Sequence, residues 1–437
     1  MKTILTSILR PGAPRVPVSS HPRFTLLSLL FPLMTALALV AQAASAASWQ
    51  IVDDFQGGAG GAAAQAIGKD SSGNLYAAGS AAVDVNGDDA AVIRKSSDGG
   101  LTWSVVDFFS NGEPPMPLSD GLWYDVEYYA VGADANGNIY AAGSYVDDFA
   151  DGYQHWFARR SADGGLTWAN SDNVLGGQAA GFAADTLGNV YVVGNAGQAW
   201  IVRKGTPDGL GGVVWTTVDQ FSSSLQGASA AAVFCHPTAG VFVAGNFPSK
   251  NIDRLISGGS RYIPAWVVRR SLDGGASWST VDTYQLDSSS YSFAYGLGAD
   301  AQGRIYAVGR SSGYWTVRRS ATGGGSWATV DQFQILSTKK TSHDVISAIA
   351  HGFAADSAGN LFVAGWANSS LGGEWIVREN PGGTGSWQTV DTFQYAAGSY
   401  ASSAALTGDT AGHVLVAGSG NAPAGVNGGT HWIVRKR

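Results

Sequence analysis

The residues best suited to bind a small polar ligand lie in one short segment. It combines aromatic rings with carboxylates, at Trp123, Tyr124, Asp125, Glu127 and Tyr128. Aromatic faces can stack on the C–H faces of sugar rings, while carboxylates accept hydrogen bonds from hydroxyl groups. The pattern therefore indicates one of two things: a carbohydrate site, or a segment that only packs over the rest of the fold.

Two acidic stretches carry oxygen ligands of the kind that Ca²⁺ binds. The first stretch has Asp147, Asp148 and Asp151, followed by Tyr153 and His155, and the second has Asp84, Asn86 and Asp88. The second stretch lacks the Gly and the Glu that complete a calcium loop, so its match is weak. Both stretches are also typical of solvated acidic loops.

Two further stretches are basic. They contain Lys250, Arg254, Arg261 and Tyr262 in one case and Lys339, Lys340, His343 and Asp344 in the other. These side chains would suit an acidic ligand, or they keep an exposed loop in solution. The seven histidines show no metal-binding spacing, and we expect no cofactor.

The overall composition points to strands and tight turns. The 437 residues include 60 Gly and are poor in Glu, with Val, Thr, Ser and aromatic residues in abundance. A net charge of −7 disfavours nucleic acid and anionic membranes as partners. Cys235 is the single cysteine, so the chain has no internal disulfide and no cysteine metal site.

The first 46 residues have the pattern of a secretory signal. Basic residues precede an apolar run over 24–40, and Ala44-Ser45-Ala46 is a small-residue cleavage site. The region before the apolar run is long, so an uncleaved anchor is the alternative. We expect residues 47–437 to be secreted or periplasmic, from a bacterium, because a secreted chain without disulfides suits that environment.

A repeat accounts for almost everything after Trp49. An apolar-small-Gly strand ending occurs seven times, at Gly79, Gly143, Gly194, Gly245, Gly309, Gly365 and Gly418. Each copy contains four strand-like pieces, of which the first is small and apolar. Repeats of four antiparallel strands predict the blades of a β-propeller, whose inner strands crowd around an axis.

The fourth and third strands are out of phase along the chain. Trp-x-x-x-Asp marks seven fourth strands and an Arg marks seven third strands, yet a fourth strand comes first, at Trp49, and a third strand comes last, at Arg435. Joining the ends completes a seventh blade and removes an unpaired edge. We therefore predict an all-β, seven-bladed propeller of four-stranded blades, closed by its N-terminal strand.

The Arg and Asp of these strands are also regularly spaced. In five repeats, such as Arg94 and Asp107, the two stand thirteen positions apart, on adjacent strands of one blade. The spacing predicts an ion pair within each blade, and closure would match Arg435 with Asp53.

Three turns between third and fourth strands share a motif. Ser96-x-Asp98-x-Gly100-x-Thr102-Trp103 is repeated from Ser161 and from Ser271. The motif resembles the Asp box, or BNR repeat, of sialidases and other secreted propellers, and the first and second strands resemble SBBP-type repeats. In families with this box the motif is structural and lies away from the active site. The resemblance thus implies a fold rather than an activity.

Two functions fit these observations. The first is a secreted, non-catalytic binding or scaffold propeller for a glycan or a cell-surface protein, monomeric and with carbohydrate as one suitable ligand class. The second is a sialidase-like glycoside hydrolase, in which Glu127 with Tyr124 or Tyr128 would supply the nucleophile pair. The sialidase F-R-I-P signature is absent, and Arg261-Tyr262-Ile263-Pro264 only partly matches it.

Strand order divides the propeller into two faces. Turns from first to second and from third to fourth strand form a regular face, and the remaining loops form a variable face. The long insertions all belong to the variable face, at 110–129, 144–155, 246–264 and 334–351. Function is expected there, since binding residues concentrate on loops over a rigid scaffold.

Overall fold

The computed structural model describes residues 48–57, 60–82, 89–110, 126–147, 153–223, 227–254, 260–335, 348–423 and 429–437. For residues 147, 153, 250–254, 260 and 261 only the backbone is described. Residues Trp49–Arg437 form one compact unit. The described residues include no helix long and apolar enough to cross a membrane.

The described chain forms seven antiparallel sheets of four strands. Blade 1 is β2 (Ala62–Lys69), β3 (Leu75–Ala82), β4 (Asp89–Ser96) and β5 (Ser104–Phe109). Blade 2 is β6 (Val126–Ala133), β7 (Ile139–Asp147), β8 (Tyr153–Ser161) and β9 (Ala169–Leu175). Blade 3 is β10 (Gly177–Ala184), β11 (Val190–Ala196), β12 (Ala199–Pro207) and β13 (Val213–Phe221).

The remaining blades follow the same order. Blade 4 is β14 (Ser229–His236), β15 (Gly240–Arg254), β16 (Ser260–Ser271) and β17 (Ser279–Tyr284). Blade 5 is β18 (Ser292–Ala299), β19 (Ile305–Ser311), β20 (Tyr314–Ser320) and β21 (Ala328–Phe333). Blade 6 is β22 (Ala348–Ala355), β23 (Leu361–Ser369), β24 (Gly372–Asn380) and β25 (Gln388–Phe393), with a short 3₁₀ turn at Pro381–Gly383.

Blade 7 joins the two ends of the chain, which confirms the predicted closure. Its sheet order is β1 (Gln50–Phe55), β28 (Thr430–Lys436), β27 (Val414–Asn421) and β26 (Ala401–Gly408). Gln50 lies opposite Lys436 and Phe55 lies opposite Trp432 in an antiparallel register. The first strand of the propeller is therefore the outer edge of its last blade.

The predicted ion pair within each blade is wrong, because each Arg pairs with the preceding blade. Arg94 binds Asp53 through Nε and Nη2, both at 2.7 Å, rather than Asp107. The other pairs are Arg159–Asp107, Arg203–Asp172, Arg269–Asp219, Arg318–Asp282, Arg378–Asp331 and Arg435–Asp391. The seven pairs thus connect all seven blades, and Asp53 matches Arg94 instead of Arg435.

A β-bulge in each outer strand explains the change of partner. Asp107 lies directly opposite Ile93, whereas Arg94 lies opposite Val105, because the register shifts between them. Residues directly opposite share a face and successive residues alternate, so Arg94 and Asp107 point to opposite faces of their sheet. The corresponding shift recurs in all seven outer strand pairs.

An aromatic residue two positions after the Asp completes this contact. The guanidinium of Arg94 lies 4.3 Å from the ring centre of Phe55, on the same strand as Asp53. Equivalent contacts are Arg159–Phe109, Arg269–Phe221, Arg318–Tyr284, Arg378–Phe333 and Arg435–Phe393. Six of the seven Arg residues are therefore held by a carboxylate and an aromatic face of the blade before them, whereas Arg203 has Val174 at the aromatic position.

The repeated glycine makes room for a large side chain of the preceding blade. A Cβ added at Gly365 would lie 1.9 Å from the Ile349 carbonyl oxygen and 2.6 Å from Cζ3 of Trp315. Trp315 is fully buried, as are its counterparts Trp156, Trp200, Trp266, Trp375 and Trp432. Because no larger residue fits, the glycine recurs at this point of the repeat.

In the three Ser-x-Asp-x-Gly turns, the Asp carboxylate accepts hydrogen bonds from the turn. Asp98 Oδ1 accepts from the backbone N–H groups of Leu101 and Thr102, both at 2.9 Å, and Oδ2 accepts from the Thr102 hydroxyl at 2.6 Å. Asp163 accepts the same three bonds in its turn, and Asp273 accepts two of them, from the backbone N–H and the hydroxyl of Ser277. These hydrogen bonds lower the pKa of Asp273 to about 2.

The 246–264 insertion differs from its prediction as a loop. β15 and β16 continue their pairing beyond the blade, up to Arg254 opposite Ser260, so that the described part is a long hairpin. The ends of the other insertions are also strand, since β6 begins at Val126, β7 reaches Asp147 and β22 begins at Ala348.

Candidate functional site: the axial channel

The first strand of each blade lines the centre of the ring. These seven inner strands are β2, β6, β10, β14, β18, β22 and β26, and each contacts the next around the axis. We call the space they enclose the axial channel. Each inner strand enters from the variable face and ends at a turn of the regular face, as the antiparallel order requires.

Each inner strand contains one bulge residue at the same level of the channel. In blade 5 the register shifts between Ala294 and Gly296, which leaves Tyr295 out of the ladder. The seven bulge residues are Gln65, Tyr129, Ala180, Ala231, Tyr295, His351 and Ala404. Four of the blades thus place a large polar or aromatic side chain where the other three have Ala.

Blades 1 to 3 build a hydrogen-bonded group on one side of the channel. Gln65 Nε2 donates to Glu127 Oε1 at 2.7 Å. Tyr129 hydrogen-bonds with Glu127 and with Gln178 of blade 3, and burial together with the Glu127 charge raises its pKa well above the ordinary value. Glu127 is the single carboxylate of the seven inner strands.

Blades 5 and 6 build an aromatic and cationic group. Phe293 and Tyr295 stack with ring centres 6.0 Å apart, and the guanidinium of Arg310 lies 4.5 Å from the Phe293 ring centre. Arg310 lies directly opposite Phe293 in the ladder, and its Nε donates to the Tyr295 hydroxyl at 3.4 Å. All three side chains are partly exposed.

His351 extends this group into blade 6. Its ring centre lies 5.8 Å from that of Tyr295, edge to face. Nδ1 lies 2.5 Å from the carbonyl oxygen of Ser403; since a carbonyl only accepts, Nδ1 carries the proton in the neutral ring. Burial and the nearby Arg310 charge lower the pKa of His351.

The structure separates Tyr128 from the channel. Tyr128 is fully buried, and its hydroxyl donates to Asp107 Oδ2 at 2.6 Å. It alternates with Glu127 on β6, so the two face opposite sides of the strand. Tyr128 is therefore a core residue rather than the partner of Glu127 in a nucleophile pair.

Most other candidates from the sequence lie outside the described residues. Trp123, Tyr124, Asp125, Asp148, His343 and the calcium candidates Asp84, Asn86 and Asp88 lie outside the described residues. Of Asp147 and Arg261 only the backbone is described. His155 stacks on Tyr145 with ring centres 4.8 Å apart, and Tyr262 lies opposite Ile252 in the long hairpin of blade 4.

A second cavity, of about 430 Å³, opens near the turns of blades 2 to 4 on the regular face. Its polar lining already serves the turns: Asp134 accepts from the Asn136 and Asn138 backbone, and His236 Nδ1 accepts from the Ala239 backbone. Burial raises the pKa of the Cys235 thiol in the same wall. Among the described residues no cluster of His, Cys, Asp and Glu could hold a metal ion.

The candidates from the sequence include Glu127 of the channel but not Gln65, Tyr295, His351 or Arg310, because the first strands are expected to be uniformly small. Aligning the seven first strands would have found them, since Gln65, Tyr129, Tyr295 and His351 occupy one column that otherwise holds Ala. Arg310 likewise stands where other blades have Ser, Asn or Trp. Departures from a repeat were the available signal.

Comparison with solved structures supports the fold. A protein of unknown function from Dyadobacter fermentans aligns over 89% of this chain and 98% of its own, with 14% identity and a TM-score of 0.50. An ulvan lyase of a polysaccharide lyase family, PL25, aligns over 84% and 92%, with 12% identity and a TM-score of 0.55. A Penicillium chrysogenum α-L-arabinanase aligns over 84% and 91%, with 14% identity and a TM-score of 0.45.

Structural neighbours of this seven-bladed β-propeller thus include carbohydrate-active enzymes and a protein of unknown function. No protein-family model and no curated protein matches the chain. At these identities the likeness concerns the fold alone.

Proposed function

We propose that the protein is a secreted, non-catalytic propeller that binds carbohydrate in its axial channel. The supporting observation is the ring of bulge residues, in which Tyr129 and Tyr295 supply aromatic rings beside the hydrogen-bonding groups of Gln65 and His351. Pockets for sugars need this combination, because ring C–H faces stack while hydroxyls exchange hydrogen bonds.

The carboxylate count favours binding over hydrolysis. Two-carboxylate glycoside hydrolysis needs an acid and a base or nucleophile across the bond that breaks. The seven inner strands offer Glu127 alone, already bonded to Gln65, and Tyr128 is buried in the core. The raised pKa of Tyr129 also disfavours a phenolate nucleophile there at neutral pH.

The ulvan lyase supplies independent context. A solved complex of that enzyme, bound to a glucuronate–sulfated rhamnose oligosaccharide, has the same fold with a TM-score of 0.53.

We also infer that the three Ser-x-Asp-x-Gly turns are Asp boxes, on the strength of their hydrogen bonds. Residues 1–46 are proposed as an export signal; mature protein from the medium or periplasm should begin at Ala47.

A glycan array with matched variants tests the binding function. Retention of a defined set of saccharides should be lost in Tyr295→Ala, which removes a channel ring. It should persist in Tyr314→Ala, which makes the same change on β20, two strands further from the axis. Retention unaffected by Tyr295→Ala would place any site outside the channel.

Catalysis is tested separately with fluorogenic glycosides. We expect no turnover by the mature protein. Turnover that disappears in Glu127→Gln would instead establish a glycoside hydrolase.

A further inference from the structure

Arg310 differs from the repeated arginines of the propeller. Those seven each bind an Asp of the preceding blade, as in Arg318 with Asp282 at 2.7 Å. Arg310 makes no ion pair with any described residue; its contacts there are the Phe293 ring and the Tyr295 hydroxyl. Its charge is therefore fixed in place without a counter-charge among those residues.

The surroundings keep this charge available in the channel. Stacking on Phe293 fixes the guanidinium plane. The single hydrogen bond that Arg310 makes with a described residue uses Nε, so no described residue occupies the N–H groups of Nη1 and Nη2. Glu127 is committed on the other side of the channel, to Gln65 and Tyr129. The guanidinium is also planar and forked, which matches the oxygens of a carboxylate or a sulfate.

One neighbour adds a donor to the same place. The Tyr295 hydroxyl accepts from Arg310 and can donate its own proton. His351 in the next blade packs against Tyr295 edge to face. Burial lowers the pKa of His351, and the charge of Arg310 lowers it further. A bound anion would neutralise the charge of Arg310 and accept hydrogen bonds from its guanidinium and from the Tyr295 hydroxyl.

We propose that the side of the axial channel formed by blades 5 and 6 binds the anionic group of an acidic polysaccharide through Arg310, assisted by Tyr295. The proposal rests on the carbohydrate-binding function and adds its ligand class: a sugar carrying a carboxylate or a sulfate. The shared chemistry is a flat or tetrahedral group of anionic oxygens facing a guanidinium fork.

Calorimetric titration with matched probes tests it. The probes are an oligogalacturonate, its methyl ester, which keeps the rings and removes the charge, and a sulfated neutral oligosaccharide of similar length. We expect an anionic probe to bind at least about tenfold more tightly than the ester, or about 1.4 kcal/mol. The probe with the larger advantage identifies the anionic group.

Variants test whether Arg310 causes the tighter binding of the anionic probe, here called the advantage of that probe. It should disappear in Arg310→Gln and be partly kept in Arg310→Lys, which retains a charge but not the fork. Arg319→Gln removes the same charge from β20 of the same blade, at the regular-face end, and should leave the advantage intact. In the unmodified protein the advantage should also shrink as salt is added, a readout that needs no variant.

The outcomes distinguish the anion site from the carbohydrate-binding function on which it rests. Equal binding of ester and anionic probes, or an advantage that survives Arg310→Gln, would overturn the anion site while leaving carbohydrate binding in place. Failure of the unmodified protein to bind any saccharide, neutral or acidic, would overturn both.

Discussion

At the interface between blades 1 and 2, the large and the small residue of the other six interfaces occupy each other's positions. Elsewhere a Trp of the third strand packs against a small residue on the next inner strand, as Trp315 does against Ala350. Here Ala91 takes the place of the Trp, and Tyr128 takes the place of the small residue. Tyr128 thus fills the volume that Ala91 leaves, which accounts for its burial without any catalytic role.

This exchange predicts compensation between the two sites. Tyr128→Ala alone should cost about 3–5 kcal/mol by leaving a cavity. Adding Ala91→Trp should recover much of that loss, because the pair then matches the other interfaces and Gly143 already supplies the space beside it. Denaturant unfolding of both single variants and the double variant measures the coupling. Strictly additive losses would show that the two side chains do not share one volume.

The turn carboxylates predict how stability depends on pH. Hydrogen bonds from Ser277 and Ser271 lower the pKa of Asp273 to about 2, below its ordinary value near 3.8. A lowered folded-state pKa gives stability that is present above about pH 4 and lost as the pH falls toward 2. Asp273→Asn should therefore lower the unfolding temperature at pH 7 and matter much less near pH 2.

Thr322 provides the reciprocal variant for that experiment. It occupies the Asp position in blade 5, and its hydroxyl accepts from the Ser326 backbone at 3.0 Å. Thr322→Asp should raise the unfolding temperature at pH 7 and lose this effect in acid. A pH-independent effect of either variant would contradict the role given to the charge.

At the scale of strands and blades, the Arg–Asp pairs hold neighbouring sheets together. Arg318 and Asp282 are nearly buried, with side-chain exposures of 9% and 6%, so removing one partner leaves the other charge buried and unpaired. Arg318→Met should cost about 3–5 kcal/mol, whereas Arg318→Met with Asp282→Leu should be much closer to the unmodified protein.

The same measurement distinguishes the two pairings of Arg318. A double-mutant cycle of Arg318 with Asp282, in the preceding blade, should give strong coupling. The cycle with Asp331, in its own blade, should give little, because the bulge turns the two to opposite faces. Stronger coupling with Asp331 would contradict the pairing between blades.

The strands and blades also show how much of the fold could be predicted from the sequence. Strand periodicity and repeat counts predict the blades, their number and the closure, because these depend on patterns that every copy shares. The partner of Arg318 could not be predicted, since one extra residue in a strand leaves the spacing unchanged and reverses the face. The channel residues were missed because Tyr295 and Arg310 are exceptions to the repeat, and the expected loop residues around Trp123 lie outside the described chain.

At the scale of the whole ring, β1 closes the propeller in two ways at once. It supplies the edge strand for β28, and its Asp53 neutralises Arg94 of blade 1. A chain that begins at Gln56 should lose both contacts and unfold at a clearly lower temperature than one that begins at Ser48. Asp53→Asn keeps the strand and loses the charge, so its stability should lie between the two.

A covalent closure extends the same prediction in the opposite direction. Gln50 and Lys436 lie directly opposite each other, and Cys235 is the single natural cysteine. Replacing Gln50 and Lys436 with cysteine should allow a disulfide that ties the chain ends together, and a loop of this length restricts the unfolded chain strongly. The oxidised form should unfold at a higher temperature than its reduced form. Equal unfolding temperatures in the two forms, with the disulfide verified by mass, would contradict this expectation.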